Sequence, residues 1–327
     1  MVGLFSFTVL DANDFEISRN LDIFTTLFRE LNTNYVDELS SEKLVKDGVD
    51  AMLSSLDPYT AYIPESKSDE YLTAHTGEYG GIGAVVGKRD GVNTVIMPYI
   101  GFPAHTAGLL IGDQILQIDQ QDLGDKSSSE ISELLKGQPG SGIELTIKRL
   151  GQDSSMNISL LRDKIVISNV MYFGMYDDQV GVIRLSDFTT NASTEVKSAL
   201  DSLKSLGAEK IILDLRGNPG GLLDEAIKVA NVFVAQGEEV VSTKGKVTSW
   251  NKTYKTQFPA TDESIPLAIL TSSATASAAE IVSGVVQDYD RGVLVGKRTF
   301  GKGLVQTTKS LSFKSKLKVG KCLFCKY

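Results

Sequence analysis

The chain has 327 residues, of which 42% are hydrophobic and 23% charged, the balance of a globular protein with two or three domains rather than of a disordered chain. A net charge of −8 argues against a nucleic-acid binder, which needs a basic face to displace counterions. The late basic residues (Lys297, Arg298, Lys302 and the lysines of 309–321) read, for the most part, as solvated strand edges. The only cysteines, Cys322 and Cys325, lie at the very end and exclude a disulfide framework in the body of the chain, and no apolar run reaches the length of a membrane span.

The first ten residues are apolar and lack a basic flank. They fit a signal peptide or membrane anchor whose front is missing as well as they fit a buried strand. Helical spacing of Ile17, Leu21, Phe24, Phe28 and Leu31 predicts a helix over 15–32. A second opens at Ser40, with Leu44, Val45, Val49, Met52 and Leu53 on its inner face, and ends at the turn Asp57-Pro58-Tyr59. Residues 1–74 are thus expected to form a helical N-terminal domain.

From Gly77 the texture changes to short strands divided by glycine and Asp-Gly turns. Strands are expected at 84–86, 91–96, 115–119 and 143–149, one helical turn at 106–113 and a helix over 128–135. This order, with Gly81-Ile82-Gly83 before a strand and Ala107-Gly108-Leu109 leading to Gly112-Asp113, resembles a PDZ domain over 75–163. An ordinary small β domain whose glycines only make turns is the plainer alternative. The resemblance implies that Gly80, Gly81, Ile82, Gly83 and Ala84 receive the C-terminus of a peptide, which adds as an extra strand.

From Gln179 strands alternate with helices, which predicts an α/β core. The run 210–215 is almost continuously apolar, as in a sheet buried on both faces. Helices are expected over 194–206, 222–234 and 276–287, and strands at 180–185, 267–270 and 293–295.

The only histidines, His75 and His105, lie outside that core, so a Ser-His-Asp triad there would need a distant donor. There is no HExxH, P-loop or Rossmann fingerprint, and neither metal nor cofactor is expected. Three core segments stand out. Asp214-Leu-Arg-Gly-Asn-Pro-Gly-Gly221 follows a strand and opens a helix, where bare backbone N–H groups and the helix dipole suit an oxyanion. Ser277 sits among small residues at another strand-to-helix passage, where helix capping alone would also explain it. Lys302 stands between two glycines with Gln306 four residues on; as a general base it would need burial to lower its pKa from about 10.4.

Together with Leu56-Asp-Pro-Tyr-Thr60, Gln287-Asp-Tyr289 and Gly296…Thr299-Phe-Gly-Lys-Gly-Leu-Val-Gln306, these segments resemble the C-terminal processing (tail-specific) proteases, S41-type serine peptidases, in the same order along most of the chain. The resemblance implies a crotonase/ClpP-like protease core over 164–319 with an inserted PDZ domain. Ser277 would be the nucleophile, Lys302 the base and Gln306 its orienting partner, with the backbone N–H groups of Gly220, Gly221 and Ala278 as oxyanion hole. It also implies protein substrates bound through their C-termini, a bacterial source and a periplasmic or envelope location, and leaves room for a membrane anchor and a homo-oligomer. Thr275-Ala-Ser-Ala-Ala-Glu280 replaces the family's commoner Ser-Ala-Ser-Ala-Ser-Glu, leaving the serine in place. Residues 320–327 read as an altered tail on a shortened core. A peptide-binding module with an inactive core, or a crotonase-fold enzyme acting on a thioester, are the alternatives; the PDZ region and the Ser277/Lys302 pair speak against the latter.

Overall fold

The computed structural model describes residues 12–325. The apolar start at 1–10 lies outside them, and no helix among the described residues is long and apolar enough to cross a membrane.

Helices α1 (Ala12–Asn34) and α2 (Ser41–Ser54) form a hairpin. Ser40 caps α2 by accepting from the Lys43 N–H. The hairpin does not make the expected domain core. Of its described side chains only Leu53 is buried, whereas Phe15, Leu21, Phe24, Leu27, Val45 and Met52 are exposed. Two helices cannot cover the apolar stripes of both, and no third layer among the described residues lies over them. Residues 55–74 belong elsewhere: β1 (Ala61–Ile63) joins a sheet of the core, and α3 (Ser68–Thr76) lines the cleft described below.

The next unit opens with β2 (Glu78–Gly81) and continues through β3 (Ala84–Arg89), β4 (Val92–Pro98), α4 (Pro103–Thr106), β5 (Gln114–Ile118), β6 (Gln121–Asp122), α5 (Ser128–Leu135), β7 (Gly142–Lys148) and β8 (Met156–Leu161). It closes with β9 (Asp163–Val166), antiparallel to β2. The main sheet runs β3-β4-β5-β7-β8, with β3 at its edge and α5 beside it. Ile82, Val95, Leu109, Ile115, Ile131, Leu145 and Ile147 form a buried cluster of its own.

The core comprises β10 (Val170–Met175), β11 (Val180–Leu185), α6 (Ala192–Ser205), β12 (Lys210–Asp214), α7 (Leu223–Phe233), β13 (Glu239–Lys244), β14 (Lys252–Lys255), β15 (Leu267–Thr271), α8 (Ala278–Asp288), β16 (Val293–Gly296), β17 (Leu304–Ser310) and β18 (Lys316–Cys325). Strands β11, β12, β15 and β16 are parallel, with β10 antiparallel at one edge. Leu200, Leu203, Val229, Phe233, Val282 and Val286 from the three helices meet Ile183, Leu213 and Ile269 of the sheet in a second buried cluster. A further sheet, β1-β18-β13-β14 with β17 also on β18, stands beside it. Strand β18 passes through Gly320 and continues to Cys325, where it pairs with β13. Residues 320–325 are therefore part of a core strand. Gly320 marks a register shift, and its missing Cβ clears Leu304 by only 3.1 Å.

Candidate active site

Three parallel strands deliver the singled-out segments to one end of the sheet. The 214–221 turn leaves the carboxyl end of β12, the approach to Ser277 that of β15, and the loop bearing Lys302 that of β16. Strand carboxyl ends in open α/β sheets are where successive connections can converge on a ligand. A cleft of about 520 Å³ lies there, lined by Ser277, Ala278, Gly220, Gly221, Lys302 and Gln306.

The first two turns are stitched together. Ala276 N–H donates to the Asn218 carbonyl at 2.9 Å, Thr275 Oγ1 donates to the Leu215 carbonyl at 2.8 Å, and the fully buried Asn218 side chain donates to Leu185 O at 2.9 Å. Asp214 is buried at the head of the turn. Burial alone would raise its carboxyl, but the paired Arg216 guanidinium (2.8 and 2.9 Å) and the Arg216 N–H hold it below its usual range.

Ser277 has φ 55° and ψ −116°, a backbone state that L-residues rarely adopt and that costs on the order of 1–3 kcal/mol. It throws the serine out of the strand-to-helix passage as α8 begins. Gly220 makes this possible, because a Cβ there would stand 2.7 Å from Ser277 Cβ and 2.7 Å from the Ala276 carbonyl. The Gly220 N–H donates to Asn218 Oδ1 at 2.8 Å, so of the three expected oxyanion donors this one is already taken. Gly220 contributes space instead. The amides of Gly221 and Ala278 have no acceptor among the described residues; that of Ala278 is the first of α8, where no intrahelical acceptor exists.

Lys302 Nζ donates to Gln306 Oε1 at 2.9 Å, and Gln306 Nε2 donates to the Tyr59 carbonyl at 2.8 Å. The amine lies 5.2 Å from the centre of the Tyr59 ring. Burial lowers the Lys302 pKa from its ordinary value, the charge of Lys318 lowers it further, and Glu280 opposes both. Glu280 was not singled out in the sequence. Its carboxylate accepts from the N–H groups of Ser277 (2.7 Å), Gly301 (2.6 Å) and Lys302 (3.1 Å), so one side chain ties the serine to the lysine loop. The Ser-x-x-Glu spacing at 277–280, a helix-start signature, was the signal that could have found it.

His75 also lines this cleft, although nothing in its sequence neighbourhood places it there. Its Nδ1 is 2.9 Å from the Tyr71 carbonyl, its ring is tilted against Tyr71 at 4.1 Å, and Tyr71 is hydrogen-bonded to Thr308. Burial lowers the His75 pKa, with Lys318 and Lys316 adding to the effect against the Tyr71 carbonyl.

In the β domain, Gly80 and Gly81 belong to β2 and run along β9, so they do not form the expected open loop. Their missing side chains admit the Gly137 carbonyl, 2.1 Å from a Cβ on Gly80, and the Tyr79 ring, 2.8 Å from one on Gly81. The loop itself is Ile82-Gly83. Its carbonyls accept from Ala104 and Tyr99, and its N–H groups have no acceptor among the described residues. Gly83 has φ 72°, and Ala84 begins the edge strand.

Comparison with known proteins places the chain in a family. Residues 179–324 match peptidase family S41 and residues 80–160 match the PDZ domain. The carboxy-terminal-processing protease of Bartonella bacilliformis is 33% identical over 321 residues, 97% of this chain and 73% of that protein. A protein of Staphylococcus epidermidis named "Probable CtpA-like serine protease" is 35% identical over 301 residues. That match takes in 91% of this chain and 60% of the staphylococcal protein, so the chain spans less than two thirds of that relative. A solved structure from Bacteroides fragilis described as an S41 protease shares the fold, with a TM-score of 0.53 at 20% identity over 83% of this chain and 75% of that one. The chain belongs to peptidase family S41, among the PDZ-containing carboxy-terminal-processing serine proteases.

Proposed function

We propose that this chain is an endopeptidase that cuts proteins near their C-termini, with Ser277 as nucleophile and Lys302 as general base. The observation that carries the proposal is the cleft in which a strained Ser277 and a partly buried lysine of lowered pKa stand together, the lysine tied to Gln306. Neutral Lys302 takes the Ser277 Oγ proton as Oγ attacks the peptide carbonyl, and the N–H groups of Gly221 and Ala278 receive the oxyanion. The lysine then gives the proton to the leaving amine, and water, activated by the same amine, hydrolyses the acyl-enzyme. The PDZ domain holds the substrate's terminal carboxylate at Ile82-Gly83 and its backbone along β3.

The test is cleavage of a fluorogenic peptide with an apolar C-terminus by the chain and by its Ser277→Ala form. Turnover only by the former is expected. Equal rates would overturn the reading, and binding without turnover in both would favour a peptide-binding module with an inactive core. The presence of His75 in the cleft gives one rival base: a Lys302→Ala protein that turned over normally would move that role to His75. An exported, envelope location, association with a membrane and self-association belong to the same reading. Fractionation of the producing bacterium and light scattering of the purified chain check them.

A further inference from the structure

The base is held from a part of the chain far from it in sequence. Gln306 has one acceptor end and one donor end, and a backbone carbonyl can only accept. The Tyr59 carbonyl, 2.8 Å from Gln306 Nε2, therefore decides that the acceptor end faces Lys302. A neutral amine that donates one N–H to a fixed acceptor has fewer directions left for its lone pair. The Tyr59 ring covers the same amine on a second side.

The turn that carries Tyr59 is itself tightly held. Asp57 Oδ1 accepts from the N–H groups of Tyr59 and Thr60, both at 2.8 Å, and Asp57 Oδ2 accepts from the Thr60 hydroxyl at 2.7 Å. Thr60 is buried, and its Oγ1 in turn accepts from the Gly320 N–H of β18 at 3.3 Å. The next residue, Ala61, enters β1 opposite Lys318 of β18. That chain of contacts leads from a carboxylate at 57 to the amine at 302 through one carbonyl and one amide.

We propose that the 57–60 turn is a positioning element of the catalytic base, with Asp57 fixing the Tyr59 carbonyl and the carbonyl fixing Gln306 and Lys302. The inference rests on the reading of Lys302 as the base. Loosening the turn lets the amide rotate and lets water reach the amine. Misplacement of a catalytic group by about 1 Å is enough to cost on the order of a hundredfold. The charged groups that bear on Lys302 from the other packed elements, Lys318 on β18 and Glu280 on α8, stay in place in the variants below.

The experiment is peptide cleavage as a function of pH by the whole chain, by Asp57→Ala, by Asp57→Asn and by Thr60→Val. Asp57→Ala is expected to lose about ten- to a hundredfold in kcat with little change in KM. The rising limb of its pH profile is expected to move to higher pH as the amine is rehydrated. Asp57→Asn keeps an acceptor for the two N–H groups and is expected to recover most of the loss and return the limb. Thermal unfolding gives the folded fraction. Should Asp57→Ala not fold, Thr60→Val, which removes only the hydroxyl's two bonds, decides by the same criteria. A folded variant with unchanged kcat and limb overturns the proposal, as does a loss that merely follows the folded fraction. Full activity of Ser277→Ala or Lys302→Ala would instead strike the functional reading beneath it.

Discussion

On the proposed reading, the PDZ domain and the protease core solve the same problem, presenting bare N–H groups to an oxygen, in opposite ways. In the PDZ domain the loop Ile82-Gly83, the edge strand β3 and the neighbouring α5 come from one stretch of chain with its own buried cluster. The core assembles its cleft from separate stretches of chain, among them α3, 218–221, 277–280 and 302–306, held to one another and to the Tyr59 turn by a few hydrogen bonds. A locally built site tolerates change elsewhere in the molecule. A site stitched across the chain fails when one stitch is cut, and the two units should therefore respond to substitution very differently.

The sharpest test of that contrast is Lys302→Ala. Turnover should fall by at least about a thousandfold, in line with loss of an acid–base group that acts together with its nucleophile. Affinity for a C-terminal peptide should not change, because the PDZ loop shares no residue with the cleft. Isothermal titration beside a cleavage assay measures both, and a parallel loss of binding would join what the comparison separates. In the unsubstituted chain the rate should rise with pH. On the proposed reading Lys302 works unprotonated, so activity should be absent well below its pKa and appear as pH climbs through it. Since that pKa is lowered from the usual lysine value, the rise should come below 10.5. A rate that falls across the alkaline range would remove lysine as the base.

A smaller effect is expected from Gly220→Ala. The added Cβ would lie 2.7 Å from the Ala276 carbonyl and 2.8 Å from the Ala278 N–H, at a φ of 97° that alanine avoids. Both the serine's strained backbone and the Ala278 donor must shift. Loss of one oxyanion donor costs on the order of 10²–10³ in kcat, and a loss of about that size is expected here with the PDZ domain still binding peptide. Activity near that of the parent would show that the 214–221 turn is scaffold alone.

How much of this could be read from the chain follows the same division. The PDZ strands and α5 were legible because their signals are local: a glycine or Asp-Gly turn at each end and alternation between. Gly112-Asp113 could be read as a marker without its reason, which is Asp113 buried against Arg149 at 2.7 and 2.8 Å and against the Leu110 N–H. In the core, Ser277, Lys302 and Gln306 could be singled out, and they line one cleft. Their fasteners could not. Asn218 takes the Gly220 amide, Tyr59 holds Gln306 across 247 residues, and His75 reaches the cleft by way of α3. Each depends on tertiary placement that no local spacing encodes. The apolar spacing of α1 and α2 was equally clear, yet a stripe says only that a helix has an apolar side, not that this chain covers it.

The smallest effect tests the PDZ half of the comparison alone. The amides of Ile82 and Gly83, without acceptors among the described residues, sit where β3 starts, at the open edge of its sheet. A peptide laid along that edge brings its terminal carboxylate to those amides and continues the sheet with its backbone. Each bond from an N–H to a carboxylate is charge-assisted and stronger than its neutral counterpart. Converting the terminus to an amide removes the charge and puts a donor where only acceptors fit, at a cost on the order of 1.5–3 kcal/mol, about ten- to a hundredfold in affinity. Titrating a peptide with an apolar end and its C-terminal amide against the Ser277→Ala chain measures the difference without cleavage. The ladder to β3 is common to both peptides, so the ratio reports the terminus alone. Equal affinities would mean that this domain holds strands without reading chain ends, and selection of C-termini would then have to occur in the cleft itself, beside Ser277.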